Sequence, residues 1–391
     1  MVSEFAPGTE EARTVTRPPM RILHVSEVIK GGVCTYLREV IALQRHLYGP
    51  GCVAAIVPDS QKAELPVPTG VELVTFDDRS TRVVGALRLA RATRKLISAF
   101  DPDVVHIHST FAGAVLRPLL AFFRCKAVII YCPHGWAFDR DSPPFIGRCV
   151  KLLEWLWSHW CDAVVCVSDY ERAAAIRIGV AEDKLILVRN GLPRRAPEAD
   201  PVSIEWPRGS RRLLFVGRFD RQKGIDILFD ALRELGDDAF AIIAGDSLRV
   251  SLGALPKNAR YAGWLTPAQL EAYYRSAEVV VMPSRWEGFG LVAVEAMRAG
   301  LPVIASSVGG LTEIIEDGKT GVLVKPNDVA ALVAALRGLD EQSLRVMGDA
   351  AYKRFLANFT IDDAFRSLCD LYHRFEQKSA ITEELNDLTA R

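Results

Sequence analysis

No uncharged apolar run in the 391 residues approaches the roughly 18 that a helix needs to cross a bilayer, so a membrane-spanning helix is not expected. Charge of one sign is also missing. The 48 Lys plus Arg are matched by 48 Asp plus Glu, which leaves no cationic excess for a phosphodiester polymer, and no nucleic-acid partner is expected. The eight cysteines (Cys34, Cys52, Cys125, Cys132, Cys149, Cys161, Cys166 and Cys369) include no C-x-x-C pair. Several fall in apolar runs, as reduced buried thiols do, and a reducing cytosol fits them best. Residues 1–19 are polar, rich in Thr, Glu and Pro, and carry no apolar h-region; they read as a disordered leader and not as a signal peptide.

What remains is ordinary for a globular enzyme: 49% hydrophobic and 25% charged residues, in a chain long enough for two or three cores. From Arg21 short apolar runs (Ile22–Val25, Val53–Val57, Val71–Val74, Val104–Ile107, Ala127–Tyr131, Ala163–Val167, Leu185–Val188) alternate with amphipathic stretches, which predicts βαβ units and a parallel sheet. A polar, Pro-rich segment at 194–210 interrupts the pattern and reads as a linker. Alternation restarts at Arg212 and continues through Phe240–Ala244, Val279–Met282, Val303–Ala305 and Val322–Val324. The expected architecture is α/β: a first Rossmann-like domain over 20–193, a second over 211–360, a closing helix over 361–377 and a mobile tail over 378–391. Open parallel sheets bind ligands at the carboxyl ends of their strands, so both domains should offer loops to one cleft.

The densest chemistry lies in Glu287-Gly-Phe-Gly-Leu-Val-Ala-Val-Glu295, between the strand Val279–Met282 and a helix closed by Gly300 and Pro302. A glycine loop that opens a helix presents backbone N–H groups and the positive end of the helix dipole, a seat for phosphate. Glu287 falls in the loop, and Glu295 lies one turn inside the helix, leaning back toward the same mouth. Paired carboxylates beside a phosphate seat suit sugar hydroxyls, which they can accept two at a time. With Gly288, Phe289, Gly290, Leu291, Ala296, Gly309-Gly310 and Glu313 in place, the segment resembles the E-x7-E motif of the retaining, nucleotide-sugar-dependent glycosyltransferases of family 4, which have the GT-B fold.

A second segment, Gly217-Arg-Phe-Asp-Arg-Gln-Lys-Gly224, follows a strand and opens a helix, and it matches the family pattern G-R…K-G. The resemblance assigns Arg218 and Lys223 to the diphosphate, whose charge grows as the glycosidic bond breaks. Gly31-Gly32 is either a plain tight turn or, as the family implies, a loop that approaches the phosphates from the other domain; a dinucleotide fingerprint is excluded by the missing third glycine. By resemblance His134 lies beside the donor sugar, Glu295 on the ribose and Trp264 near the base, where it either stacks or packs on the sheet. His106 and His108 share one face of a strand, a conceivable metal pair with no third ligand at a suitable spacing; satisfied strand-end residues are the alternative. Asp101-Pro-Asp103 precedes a strand and reads as a turn, so neither a metal nor another cofactor is expected.

The resemblance implies a hexose moving from a UDP- or GDP-sugar to a saccharide acceptor, polyprenyl-linked by family habit, in bacterial cell-surface or exopolysaccharide assembly. A sugar-nucleotide epimerase of similar fold and a non-catalytic nucleotide-sugar-binding partner are the rival readings. Helix Thr81–Ser98 carries five basic and no acidic residues, Trp155, Trp157 and Trp160 follow, and residues 79–195 hold 18 Lys or Arg against 10 Asp or Glu. Such a face suits an anionic membrane surface, with the chain cytoplasmic and peripheral.

Overall fold

A computed structural model describes residues 19–200, 202–246 and 254–389, with side chains as far as residue 376. The first domain runs β1 (Ile22–Ser26), α1 (Gly32–Tyr48), β2 (Val53–Pro58), β3 (Val71–Phe76), α2 (Arg82–Phe100), β4 (Val104–His108), α3 (Thr110–Phe122), β5 (Val128–Cys132), α4 (Pro144–Ser158), β6 (Ala163–Cys166), α5 (Asp169–Arg177) and β7 (Leu185–Leu187). Its seven strands are all parallel, in the order β3-β2-β1-β4-β5-β6-β7. β1, β2 and β4 are buried along their whole length, as expected where both faces of a parallel sheet are covered.

The second domain comprises β8 (Arg211–Val216), α6 (Ile225–Leu235), β9 (Ala239–Ala244), β10 (Ala259–Gly263), α7 (Pro267–Ser276), β11 (Val279–Met282), α8 (Leu291–Arg298), β12 (Val303–Ser306), α9 (Leu311–Ile314), β13 (Gly321–Val324), α10 (Val329–Gly338) and α11 (Glu341–Asn358). Its parallel sheet has the order β10-β9-β8-β11-β12-β13. The chain is thus α/β with two Rossmann-like domains. The long α12 (Ile361–Thr389) returns to pack on α1, and a bridge between Leu192 and Thr360 marks the crossing. One apolar cluster therefore runs without a break from Ile22 through Phe289 and Phe359 to Tyr372.

One sequence expectation changes here. α12 does not stop at residue 377: it continues to Thr389, through the stretch read as a tail, because 378–389 lacks any Gly or Pro to break it. Of the leader expected over 1–19, residues 1–18 lie outside the described residues.

Candidate active site

Two glycine loops of the second domain are stitched into one surface. Lys223 Nζ lies 2.5 Å from Glu287 Oε1, which also accepts from Ser284 Oγ at 3.0 Å. Gln222 donates to the Trp286 carbonyl at 3.1 Å, and its own carbonyl accepts from Arg285 N at 2.7 Å. Arg285 then forks onto Asp226 at 2.9 and 2.6 Å. Gly309 supports the loop from behind: its φ is +51°, and a Cβ there would sit 1.8 Å from the Glu287 carbonyl oxygen, so no side chain fits. Arg218, assigned with Lys223 to the diphosphate, does not meet that lysine here. Asp220 and Gln222, in its own turn, hold its guanidinium at 3.0 and 2.8 Å, while Lys223 alone reaches Glu287.

Helix N-termini complete the seat. α1, α6 and α8 each begin at a glycine of positive φ (Gly31, Gly224 and Gly290) and have no side-chain cap. Thr81, Ser168, Thr266, Asp328 and Asp340, by contrast, cap α2, α5, α7, α10 and α11. At α6 the Asp226 carboxylate takes the first-turn N–H groups of Asp226 and Ile227, so it is the starts of α1 and α8 that keep N–H groups and the positive dipole end for a ligand. A Cβ on Gly32 would lie 3.1 Å from Leu291 Cδ1, so the starts of α1 and α8 face each other across the cleft. Gly217, just after β8, lies under the Lys223 side chain. Phe289 is buried in the core cluster and meets Phe359 edge-on, so it holds the loop down instead of lining it.

Glu295 accepts from Tyr274 Oη at 2.8 Å, and burial raises its pKa against the pull of that bond and of Arg298 and Arg38. Trp264 stands after the Gly263 turn with half its surface open, which leaves a stacking face free. Asp101 and Asp103 are structural, as a left-handed helix end and an acceptor for Arg21 N at 2.7 Å.

On the facing domain His134 follows β5 with φ +51°, and its Nε2 lies 3.0 Å from His108 Nδ1. His108 Nε2 is 2.9 Å from His24 Nδ1, and His24 Nε2 is 2.7 Å from Gln44 Oε1. His106 Nδ1 meets Tyr372 Oη of α12 at 2.8 Å, while its Nε2 is buried without a partner among the described residues. Burial keeps all four imidazoles neutral, with His24 and His134 pushed down to about 4 and His106 and His108 well below the usual value. The reading that His106 and His108 lack a third metal ligand is corrected here. The β1–β4 register places His24 opposite His106, so His24, His106 and His108 have ligand atoms within 4.8 Å of one another; His108, Cys132 and His134 form a second such group. No spacing rule on one strand could reveal this, because His24 belongs to another.

The domains touch where Ser168 Oγ donates to the Gly288 carbonyl at 2.8 Å, and Glu313 accepts from Asp169 N and Tyr170 N at 2.9 and 2.6 Å. A Cβ on Gly288 would lie 2.8 Å from both Glu171 Oε1 and Gly135 Cα. Gly288→Ala should therefore hold the domains apart, with kcat/KM falling at least tenfold in initial-rate assays, as misplacement by an ångström can cost more. Burial first, then Asp139 and Glu313, raise the Glu171 carboxyl to about 7. A carboxyl raised on folding stabilises the protonated protein, so this contribution is lost as pH rises through about 7. Melting curves from pH 5 to 8 should show that slope in the wild type and a flatter one in Glu171→Gln.

The family described as Glycosyltransferase Family 4 matches residues 30–195, and Glycosyl transferases group 1 matches 198–354. An uncharacterized 41.2 kDa protein in the cps region of Klebsiella pneumoniae is 31% identical over 376 residues, covering 91% of this chain and 100% of that one. A phosphatidyl-myo-inositol mannosyltransferase of Mycobacterium leprae is 37% identical over 325 residues, covering 80% and 84%. The chain belongs to the family 4 glycosyltransferases. Sucrose-phosphate synthase from Thermosynechococcus elongatus shares the fold of this family 4 glycosyltransferase, at TM-score 0.80 and 21% identity over 92% of this chain and 100% of that one. Anabaena HepE, solved with UDP and glucose, follows at TM-score 0.74 and 19% identity over 91% and 100%.

Proposed function

We propose that this glycosyltransferase moves a hexose, with retention of configuration and without a metal, from a UDP- or GDP-sugar to a saccharide on a lipid carrier at a membrane surface. The observation that carries the reading is the cleft itself: the uncapped starts of α1 and α8 face each other, with the Lys223–Glu287 pair beside them. In this reading the helix N-termini, Lys223 and Arg218 take the diphosphate, Arg218 turning from Asp220 to do so. Glu287 and His134 hold the sugar, and Glu295 the ribose. HepE, of the same fold, was solved with UDP and glucose, which favours UDP among the donors. The relative in a cps region supports a role in cell-surface polysaccharide assembly. Thermal shift against UDP, GDP and ADP tests the donor, since a ligand of the folded state raises Tm by mass action. Transfer in EDTA, with the product anomer read by NMR, tests the rest; an inverted product or a metal requirement would overturn that part. Hydrolysis or epimerisation of donor with no acceptor would favour the epimerase.

Among the described residues no helix is long and apolar enough to cross a membrane. Membrane docking is supported instead by α4, whose buried residues are the polar Glu154 and Ser158, while Phe145, Ile146, Leu152, Leu153, Trp155 and Leu156 are exposed. Its apolar side faces out. Val83 and Leu87 of α2 and Phe122 of α3 extend the patch, and Arg82, Arg91 and Lys95 are exposed on α2. Exposed apolar area rimmed by cations fits an anionic lipid surface. Sedimentation with phosphatidylglycerol vesicles should fall roughly tenfold or more in Leu152→Ser/Leu156→Ser, given the transfer energy of two leucines. Equal binding by the variant removes the docking face.

A further inference from the structure

Resting on the reading that His134 meets the sugar, this inference concerns how that contact is set. Three hydrogen bonds join Gln44 on α1, His24 on β1, His108 on β4 and His134 at the cleft. Gln44, His24 and His108 are fully buried, so water does not interrupt the series. A neutral imidazole has one N–H and one lone pair. An amide oxygen can only accept, so His24 Nε2 must donate to Gln44, which leaves His24 Nδ1 as an acceptor. His108 Nε2 then donates to it, and His108 Nδ1 accepts from His134 Nε2. What remains is His134 Nδ1, a lone pair with no partner among the described residues. Tyr372 Oη, 3.4 Å from Gln44 Nε2, takes the other end of the amide and keeps its oxygen toward His24.

We infer that Gln44, acting through His24 and His108, is a positioning residue that locks His134 as the Nε2–H tautomer, so that Nδ1 meets the cleft as an acceptor for a sugar hydroxyl. The chain thereby selects a ligand with a donor at that point, and a deoxy or O-methyl sugar there loses the bond. Because Tyr372 belongs to the helix that returns from the second domain, docking of α12 and the orientation of the amide are coupled.

Long-range 1H–15N correlation spectra of protein labelled at histidine read the tautomer directly in the wild type, without a variant and without turnover. The expected pattern is Nε2–H for His24, His108 and His134; an Nδ1–H pattern at His134 overturns the inference. Gln44→Glu keeps the acceptor and should keep the pattern, whereas Gln44→Met, of similar volume, should give mixed tautomers. Donor KM should then rise about fivefold, the factor for one neutral hydrogen bond, with kcat little changed. Unchanged tautomers and KM in Gln44→Met would also overturn it. A wild type with the Nε2–H pattern and no transferase activity supports this inference and refutes the proposed function instead.

Discussion

Glu287→Gln is expected to lower kcat by roughly 10²–10³, the range seen when one group aimed at transition-state charge is removed. Volume and hydrogen-bonding capacity survive this change; the charge does not. Glu287 is 7% exposed and, among the described residues, supplies the one carboxylate on Lys223 Nζ, so the change leaves a largely buried ammonium ion without its counter-charge and gives the sugar a weaker, neutral acceptor. Lys223→Met should cost a similar factor, because Arg218 must first leave Asp220 to reach a departing diphosphate and Arg285 is held by Asp226. The double variant should be little worse than either single one if the pair works as a unit. Initial rates at saturating donor check this. Turnover at the wild-type level in Glu287→Gln would remove the assignment, and additive losses would separate the two roles.

The donor half of this site was legible because its determinants are local. Gly217 to Gly224 and Glu287 to Glu295 are each a strand end, a glycine turn and a helix start, and a short window of sequence carries all three. The fold was legible for the same reason, since a period of alternating apolar and amphipathic segments needs no long-range information. His24, Gln44, His106, His108, His134 and Tyr372 are another matter. They come from four elements and one turn, spread over 349 positions, and meet only through strand register and the return of α12. The partner of Glu295 was hidden too, because Tyr274 lies on α7 and no motif links the two. The resemblance assigns both Arg218 and Lys223 to the diphosphate, but spacing shows only which residues share a loop, not which neighbour takes a guanidinium.

Glu154→Ala is expected to destabilise the first domain by about 3–5 kcal/mol, the cost of stranding one partner of a buried ion pair. Arg117 and Glu154 meet at 2.6 Å with both side chains 1% exposed. Tyr131 Oη donates to the same carboxylate at 3.2 Å and lays its ring 3.8 Å from the Arg117 guanidinium, and the Trp157 ring lies 5.5 Å from it. Arginine cannot shed its proton to escape, so the stranded charge stays. Differential scanning calorimetry should show the transition of this domain lowered by about 10 °C, following the scaling for domains of this size. Arg117→Met/Glu154→Leu should recover most of the loss, since an apolar pair of similar volume needs no desolvated charge. The consequence reaches the surface. With its apolar side chains turned outward, α4 is held inward by Glu154 and Ser158, so Glu154→Ala should also weaken vesicle binding at temperatures where the domain is still folded. A loss below about 1 kcal/mol, within the range of exposed pairs, would mean that the pair is not what fastens the helix.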